Sequence, residues 1–122
     1  MKAFKHSGKN EKTDQLISVH CVSNTIFLSP PEITCLEGEG NYTYIHTFSG
    51  KKYHVSKTIK NLHSHLNWND NFLRIHKSYL INTDHIMNYI DQDRIIKMAG
   101  GKEVFVSRPK SKEVNQFLSA VL

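Results

Sequence analysis

Within the run FLRIHKSYLIN, residues 72–82, the side chains of Arg74, His76, Lys77 and Asn82 can all donate hydrogen bonds to a ligand. They are packed among Phe72, Leu73, Ile75, Tyr79, Leu80 and Ile81, an apolar set that belongs in or beside a core. A stretch with both properties has to run between a packed interior and something polar.

Charge points to the class of that partner. The net charge is only +5, but between Lys51 and Lys77 there are six basic residues (Lys51, Lys52, Lys57, Lys60, Arg74, Lys77) against the single acid Asp70. A second cluster, SRPKSK, holds Arg108, Lys110 and Lys112 and no acid. The acids gather instead at Glu37 and Glu39 and at Asp84, Asp91 and Asp93. If the two basic clusters meet on one face, that face suits phosphate.

Other chemistry finds no support. GEGN at 38–41 lacks the Lys-Ser/Thr pair of a phosphate-binding P-loop. His63 and His65 form an isolated pair, and His46, His54, His76 and His85 match no standard ligand spacing, so no metal is expected. Cys21 and Cys35 lie in separate apolar runs without CxxC spacing and read as buried free thiols. No Ser or Cys sits in an elbow motif with a His partner. Neither an enzyme nor a cofactor is expected.

The elements that must position these residues are mostly strands. Residues 1–15 carry only Met1, Ala3 and Phe4 as apolar side chains and read as a polar tail or linker, with one domain over 16–122. From Leu16 onward come short runs rich in Val, Ile, Thr, Tyr and Phe: LISVHCV, TIFL, ITCLEGE, YTYIHTF and KKYHVS, separated by turn signals such as Gly40-Asn41 and Ser49-Gly50. Alternation in YTYIHTF puts Tyr42, Tyr44, His46 and Phe48 on one side and Thr43, Ile45 and Thr47 on the other. Ile59, Leu62 and Leu66 form the stripe of a short amphipathic helix over 58–66. HIMNYID, RIIKMA and KEVFVS continue the strands. Val114, Phe117, Leu118 and Val121 then mark a C-terminal helix, with Ser107 and Pro109 as its start signal. No apolar run approaches the roughly 18 residues of a membrane span, and the N-terminus lacks a secretory signal, so a cytoplasmic protein away from the membrane is expected.

Three stretches, ITCLEGEGNYTYIHTFSGKKYHVSKTIKNLHSHL, FLRIHKSYLINTDHI and VFVSRPKSKEV, together resemble the LytTR-type DNA-binding domain of bacterial transcription regulators, in that family's order and spacing. The resemblance covers residues 16–120. It implies a mostly β fold of stacked small antiparallel sheets, with a short helix between strands, that offers loops to successive major grooves of double-stranded DNA. It also implies sequence-specific binding by a transcription regulator, a second copy on a repeated site, and a receiver domain or sensor kinase in the full system.

On this resemblance His76 and Lys77 come to the DNA surface at the bend between two strands, while Arg74 and Asn82 hold the bend. The first contact loop falls at Asn41, Tyr42 and Thr43. In the last, the place two residues after Ser107, where the family favours a base, holds Pro109, so that role passes to Arg108 or Lys110. Lys57, Lys60, Lys110 and Lys112 are expected on phosphates, and Arg108 on a guanine edge. Two alternatives compete: a β-rich protein-interaction module using strand edges and aromatics, and single-stranded RNA binding through Tyr42, Tyr44 and Tyr53.

Overall fold

The computed structural model describes residues 16–66 and 71–121. The expected tail, residues 1–15, lies outside the described residues. Among those described, ten strands form three antiparallel sheets, with two α-helices. β1 (Ile17–His20) and β2 (Thr25–Leu28) make a hairpin. The central sheet contains β3 (Ile33–Glu39), β4 (Tyr42–Thr47), β5 (Lys52–Val55), β6 (Phe72–His76) and β7 (Tyr79–Asn82), in the order β5-β4-β3-β7-β6. The third sheet takes β8 (Ile86–Ile90), β9 (Ile95–Met98) and β10 (Glu103–Phe105), in the order β10-β9-β8. Helix α1 (Ile59–His65) connects β5 to the β6–β7 hairpin, and α2 (Arg108–Val121) follows β10. This is the mostly β, stacked-sheet architecture expected from the sequence.

The middle of the central sheet is covered on both faces, and there residues 33–36 of β3 and 80–82 of β7 are buried in unbroken runs. Alternation sends Leu36, Ile45 and Leu80 to one face, where they meet Ile59, Leu62 and Leu66 from α1 and its C-cap, and Val19 and Leu28 from the first hairpin. Cys35, Ile75 and Ile81 face the other way, toward Ile96, Met98 and Val104 of the third sheet and Val114 and Leu118 of α2. Cys35 is fully buried, and that burial pushes its thiol up to about 12. Cys21 is only half-buried, at the edge of the first core, where it bridges Val55; both thiols are free.

FLRIHKSYLIN is a hairpin of two strands, with the bend where the resemblance puts it. β6 and β7 pair antiparallel around a Lys77-Ser78 turn, with a register shift between Arg74 and His76. Asn82 is buried to 1% exposure, its Nδ2 donating to the Ile33 carbonyl at 2.9 Å and its Oδ1 accepting from the Asp84 N–H at 3.0 Å. Both ends of a buried amide are thus satisfied, which keeps it from costing stability. No helix among the described residues is long and apolar enough to cross a membrane.

Candidate nucleic-acid interface

Antiparallel strands send successive turns to opposite ends of a sheet, and this sorts the candidate residues. The β3–β4 turn, the β5–α1 connection and the β6–β7 turn lie at one end of the central sheet. Asn41, Tyr42, Lys57, Lys60, His76 and Lys77 therefore come together there. Lys51 and Lys52, which the sequence groups with them, enter β5 at the opposite end. The run of six basic residues is thus divided by a strand, and four of the six remain at the candidate face.

Backbone hydrogen bonds tie three loops at this end to one another. The Gly38 N–H donates to the Ser78 carbonyl at 2.8 Å, joining the β3–β4 hairpin to the β6–β7 turn. The Ser107 N–H donates to the Ile75 carbonyl at 2.9 Å, joining the start of α2 to the same β6–β7 hairpin. The Val106 N–H donates to the Arg94 carbonyl at 2.9 Å, and Arg94 Nε donates to the Val106 carbonyl at 3.2 Å. The β8–β9 turn thereby abuts the third loop, and its exposed Asp91 and Asp93 bound the basic region on that side.

Each loop is shaped by local chemistry. In the first, Gly40 adopts φ +63°, a left-handed conformation suited to glycine, and the Gly40-Asn41 pair closes the β3–β4 hairpin. Asn41 is exposed and Tyr42 is 46% exposed. Thr43 does not reach the surface. It shares the inward side of β4 with Ile45, is fully buried, and its hydroxyl donates to the Lys57 carbonyl at 2.6 Å. A base contact from Thr43 is corrected on that ground; it holds the β5–α1 connection instead. In that connection Thr58 caps α1, accepting from the Asn61 N–H at 3.1 Å, and Lys57 and Lys60 are exposed on either side of it.

In the second loop Arg74 binds the turn from within, Nε to the His76 carbonyl at 2.8 Å and Nη2 to the Lys77 carbonyl at 2.5 Å. The Ser78 N–H donates to His76 Nδ1 at 2.9 Å, which leaves the proton of this half-buried ring on Nε2. Lys77 is exposed. Arg74 thus holds the bend, as the resemblance implies, whereas Asn82 does not: it ties the far end of β7 to β3 and to the turn at Asp84.

The third loop enters α2 directly: Arg108 is the first residue of the helix and Pro109 the second, where a missing N–H costs nothing. Arg108 and Lys112 are exposed. Lys110 is half-buried, with its Nζ 3.4 Å from Glu113. Among the described residues, no side-chain partner holds Lys57, Lys60, Lys77, Arg108 or Lys112. Of the two candidates flanking Pro109, Arg108 is the one whose side chain is free.

Among the described residues an ion-pair cluster that sequence reasoning missed centres on Glu37, the residue before Gly38. His46 Nε2 donates to Glu37 Oε1 at 2.9 Å, and Lys102 Nζ reaches the same oxygen at 3.1 Å, linking the central sheet to the β9–β10 connection. Burial pushes the Glu37 carboxyl up, but the hydrogen bonds from His46 and Lys102 outweigh it and hold the group below its usual range. Burial holds His46 below the ordinary histidine value, against the opposing pull of Glu37. Only the β3–β4 pairing of Glu37 opposite Tyr44, two residues from His46, was open to a sequence argument; Lys102 comes from another sheet.

The tyrosines of β4 are engaged by side chains of β5. Tyr44 stacks on His54 with centroids 4.7 Å apart, and Lys52 Nζ lies 4.8 Å from the same ring. Tyr42 tilts against His54 at 4.9 Å, and Tyr53 packs at the edge of the first core.

Among solved structures, the chain is similar to one described as the LytTr DNA-binding domain of a methyl-accepting/DNA response regulator from Bacillus cereus. The TM-score is 0.70 at 21% identity, over 84% of this chain and 95% of that one, a likeness of fold. No curated protein matches the chain. The sequence itself matches the LytTr DNA-binding domain over residues 23–119, a span that includes all three tied loops. The chain therefore belongs to the LytTR family of DNA-binding domains.

Proposed function

We propose that the chain binds double-stranded DNA sequence-specifically as part of a bacterial transcription regulator, entering successive major grooves with the β3–β4 turn, the β6–β7 turn and the start of α2. The observation that carries this reading is the pair of backbone hydrogen bonds, Gly38 to Ser78 and Ser107 to Ile75, that lock the three loops into one unit. Loops fixed to one another by backbone can hold a register on a duplex, whereas independently mobile loops would pay ordering entropy at each contact.

The division of labour follows from side-chain type and availability. Arg108, exposed and free of partners among the described residues, carries the planar fork that pairs with a guanine edge. Lys57, Lys60 and Lys112 supply charge to phosphates, and Lys110 does so only by leaving Glu113. Asn41 and the Nε2–H of His76 are further hydrogen-bond donors at the same end. A second copy on a repeated site adds affinity that one small set of contacts lacks, and input comes from a receiver domain or sensor kinase elsewhere in the system.

The single-stranded RNA reading has less support, because Tyr44 is engaged by His54 and Lys52 and Tyr53 is packed on the core, which leaves Tyr42 as the exposed ring of the three. Selection of bound duplexes from random DNA tests the proposal. A recurring motif is expected, with log K falling linearly against log salt by about 0.9 per phosphate contacted. Recovery of unrelated sequences, or affinity that ignores salt, would overturn it.

A further inference from the structure

Between the β3–β4 turn and the β6–β7 turn lies an open groove of about 310 Å³, lined by Lys60, placed above on a phosphate, and by Lys77, given no role there. Its polar lining is Tyr42, Thr58, Lys60, Arg74, Lys77 and Ser78. Three of those six are cations, and no acid lines it among the described residues; Glu39, next to Gly40 on the hairpin, is outside the lining. Gly38 and Gly40 form part of the wall. A Cβ on Gly38 would come within 3.0 Å of Ile59 Cδ1, so the hairpin sits close against α1 and the groove's floor is set by packing.

The cations here differ in what they can still do. Arg74 spends Nε and Nη2 on the His76 and Lys77 carbonyls, so it contributes a fixed charge at the turn. Lys60 and Lys77 are exposed and stand on separate elements, α1 and the β6–β7 turn. Their ammonium groups are flexible point charges without the fork that reads a base edge. The Thr58 hydroxyl accepts from the Asn61 N–H, which leaves its own proton to donate.

We propose that this groove seats one phosphodiester of the DNA backbone, held jointly by Lys60 and Lys77, so that Lys77 supplies affinity and register while sequence is read elsewhere on the face. The volume is at the small end of ligand pockets, about 300–1,000 Å³, adequate for a phosphodiester with part of its sugar and shallow for a base pair. The occupant is a backbone phosphate rather than a free anion because the groove is continuous with the tied loops, whose spacing only a polymer can follow. This deepens the DNA reading and rests on it.

The test is a double-mutant cycle of Lys60→Ala and Lys77→Ala, measured on a selected duplex and a scrambled one at fixed salt. Each exposed lysine can be removed without emptying the core. Each single variant is expected to bind about tenfold more weakly on both duplexes, leaving their ratio unchanged. The pair together should lose well short of the hundredfold that independent contacts would give, because both grip the same phosphate. Duplexes carrying one neutral methylphosphonate at successive positions locate it: one substitution should weaken the wild-type protein and leave the double variant unaffected. A collapse of the selected-to-scrambled ratio in Lys77→Ala would make Lys77 a base reader and overturn the proposal, as would fully additive losses or the absence of such a phosphate position. Arg108→Ala, measured alongside, separates the two ideas. If it still abolishes discrimination, the DNA-binding face stands whatever becomes of the groove; if neither it nor the lysine variants alter duplex binding, the face itself is wrong.

Discussion

At the Ser29 end of the central sheet, Glu32 accepts from the Ser29 N–H at 3.0 Å and from its hydroxyl at 3.2 Å, and His85 Nε2 donates to the Pro31 carbonyl at 2.6 Å. Asn82 reaches the Ile33 carbonyl there too. At the Asn41 end, Lys57, Lys60, Lys77 and Arg108 are exposed and have no side-chain partner among the described residues. Both ends are built from the turns of the same strands. The Ser29 end spends most of its polar side chains on the fold, Lys51 excepted, whereas the Asn41 end leaves a like-charged set that an external polyanion can pair. The β6–β7 hairpin spans the contrast, with Asn82 spent on the fold at one end and Lys77 unspent at the other.

The largest effect expected on this contrast comes from within that hairpin. Ile75→Ala empties a site with no solvent exposure and should cost about 2–5 kcal/mol, a large share of a small domain's stability. Lys77→Ala, two residues away and exposed, should melt with the wild type. Thermal unfolding of both variants checks the inward and outward assignment; equal melting temperatures would break it.

Arg108→Ala is next. It should reduce discrimination between a selected and a scrambled duplex by about 1–3 kcal/mol, while Lys110→Ala, whose ammonium is paired with Glu113, should keep the ratio. Binding measured for both variants at one salt concentration decides between them, and the opposite outcome would assign base reading to Lys110. Lys112→Ala should act more weakly, lowering affinity for both duplexes alike and reducing the salt slope by about 0.9.

Much of this arrangement was legible in the sequence, for identifiable reasons. Strand spacing and the stripes of α1 and α2 carried the fold, since periodicity survives whatever the tertiary context. Alternation in YTYIHTF already placed Thr43 with Ile45 and Thr47, so its burial was open to the same argument that exposed Tyr42. The i,i+3 spacing of Lys110 and Glu113 likewise announced their pairing. Counting charges along residues 51–77 misled, because Lys51 and Lys52 stand at the start of β5 and Lys57 and Lys60 follow its end, and one strand's length separates them. The Glu37–His46–Lys102 cluster was invisible, as it depends on how two sheets stack.

That cluster gives the smallest expected effect, and one on stability rather than on DNA contacts. His46 is held below its ordinary value in the folded state, so the unfolded chain takes up a proton first as pH falls through about 6.5. Glu37 is also held low, so its contribution is present above about 4.3 and lost as pH falls through its depressed folded value. Both act in one direction: stability should decline from about pH 6.5 downward, with a further loss below about pH 4. Denaturant unfolding across pH 4–8 should show a flatter profile for His46→Gln than for wild type in the upper part of that range, and parallel profiles there would contradict it.

The contrast between the two ends can be read in one experiment: titrating the isotope-labelled domain with a selected duplex and following backbone amide shifts by NMR. Perturbations are expected at Asn41, Lys60, Lys77 and Arg108 and through the backbone that ties them, with Ser29–Glu32 and Thr83–His85 unmoved. Shifts concentrated at the Ser29 end, or on the Tyr44–His54 stack, would contradict a DNA-binding face built from the three tied loops.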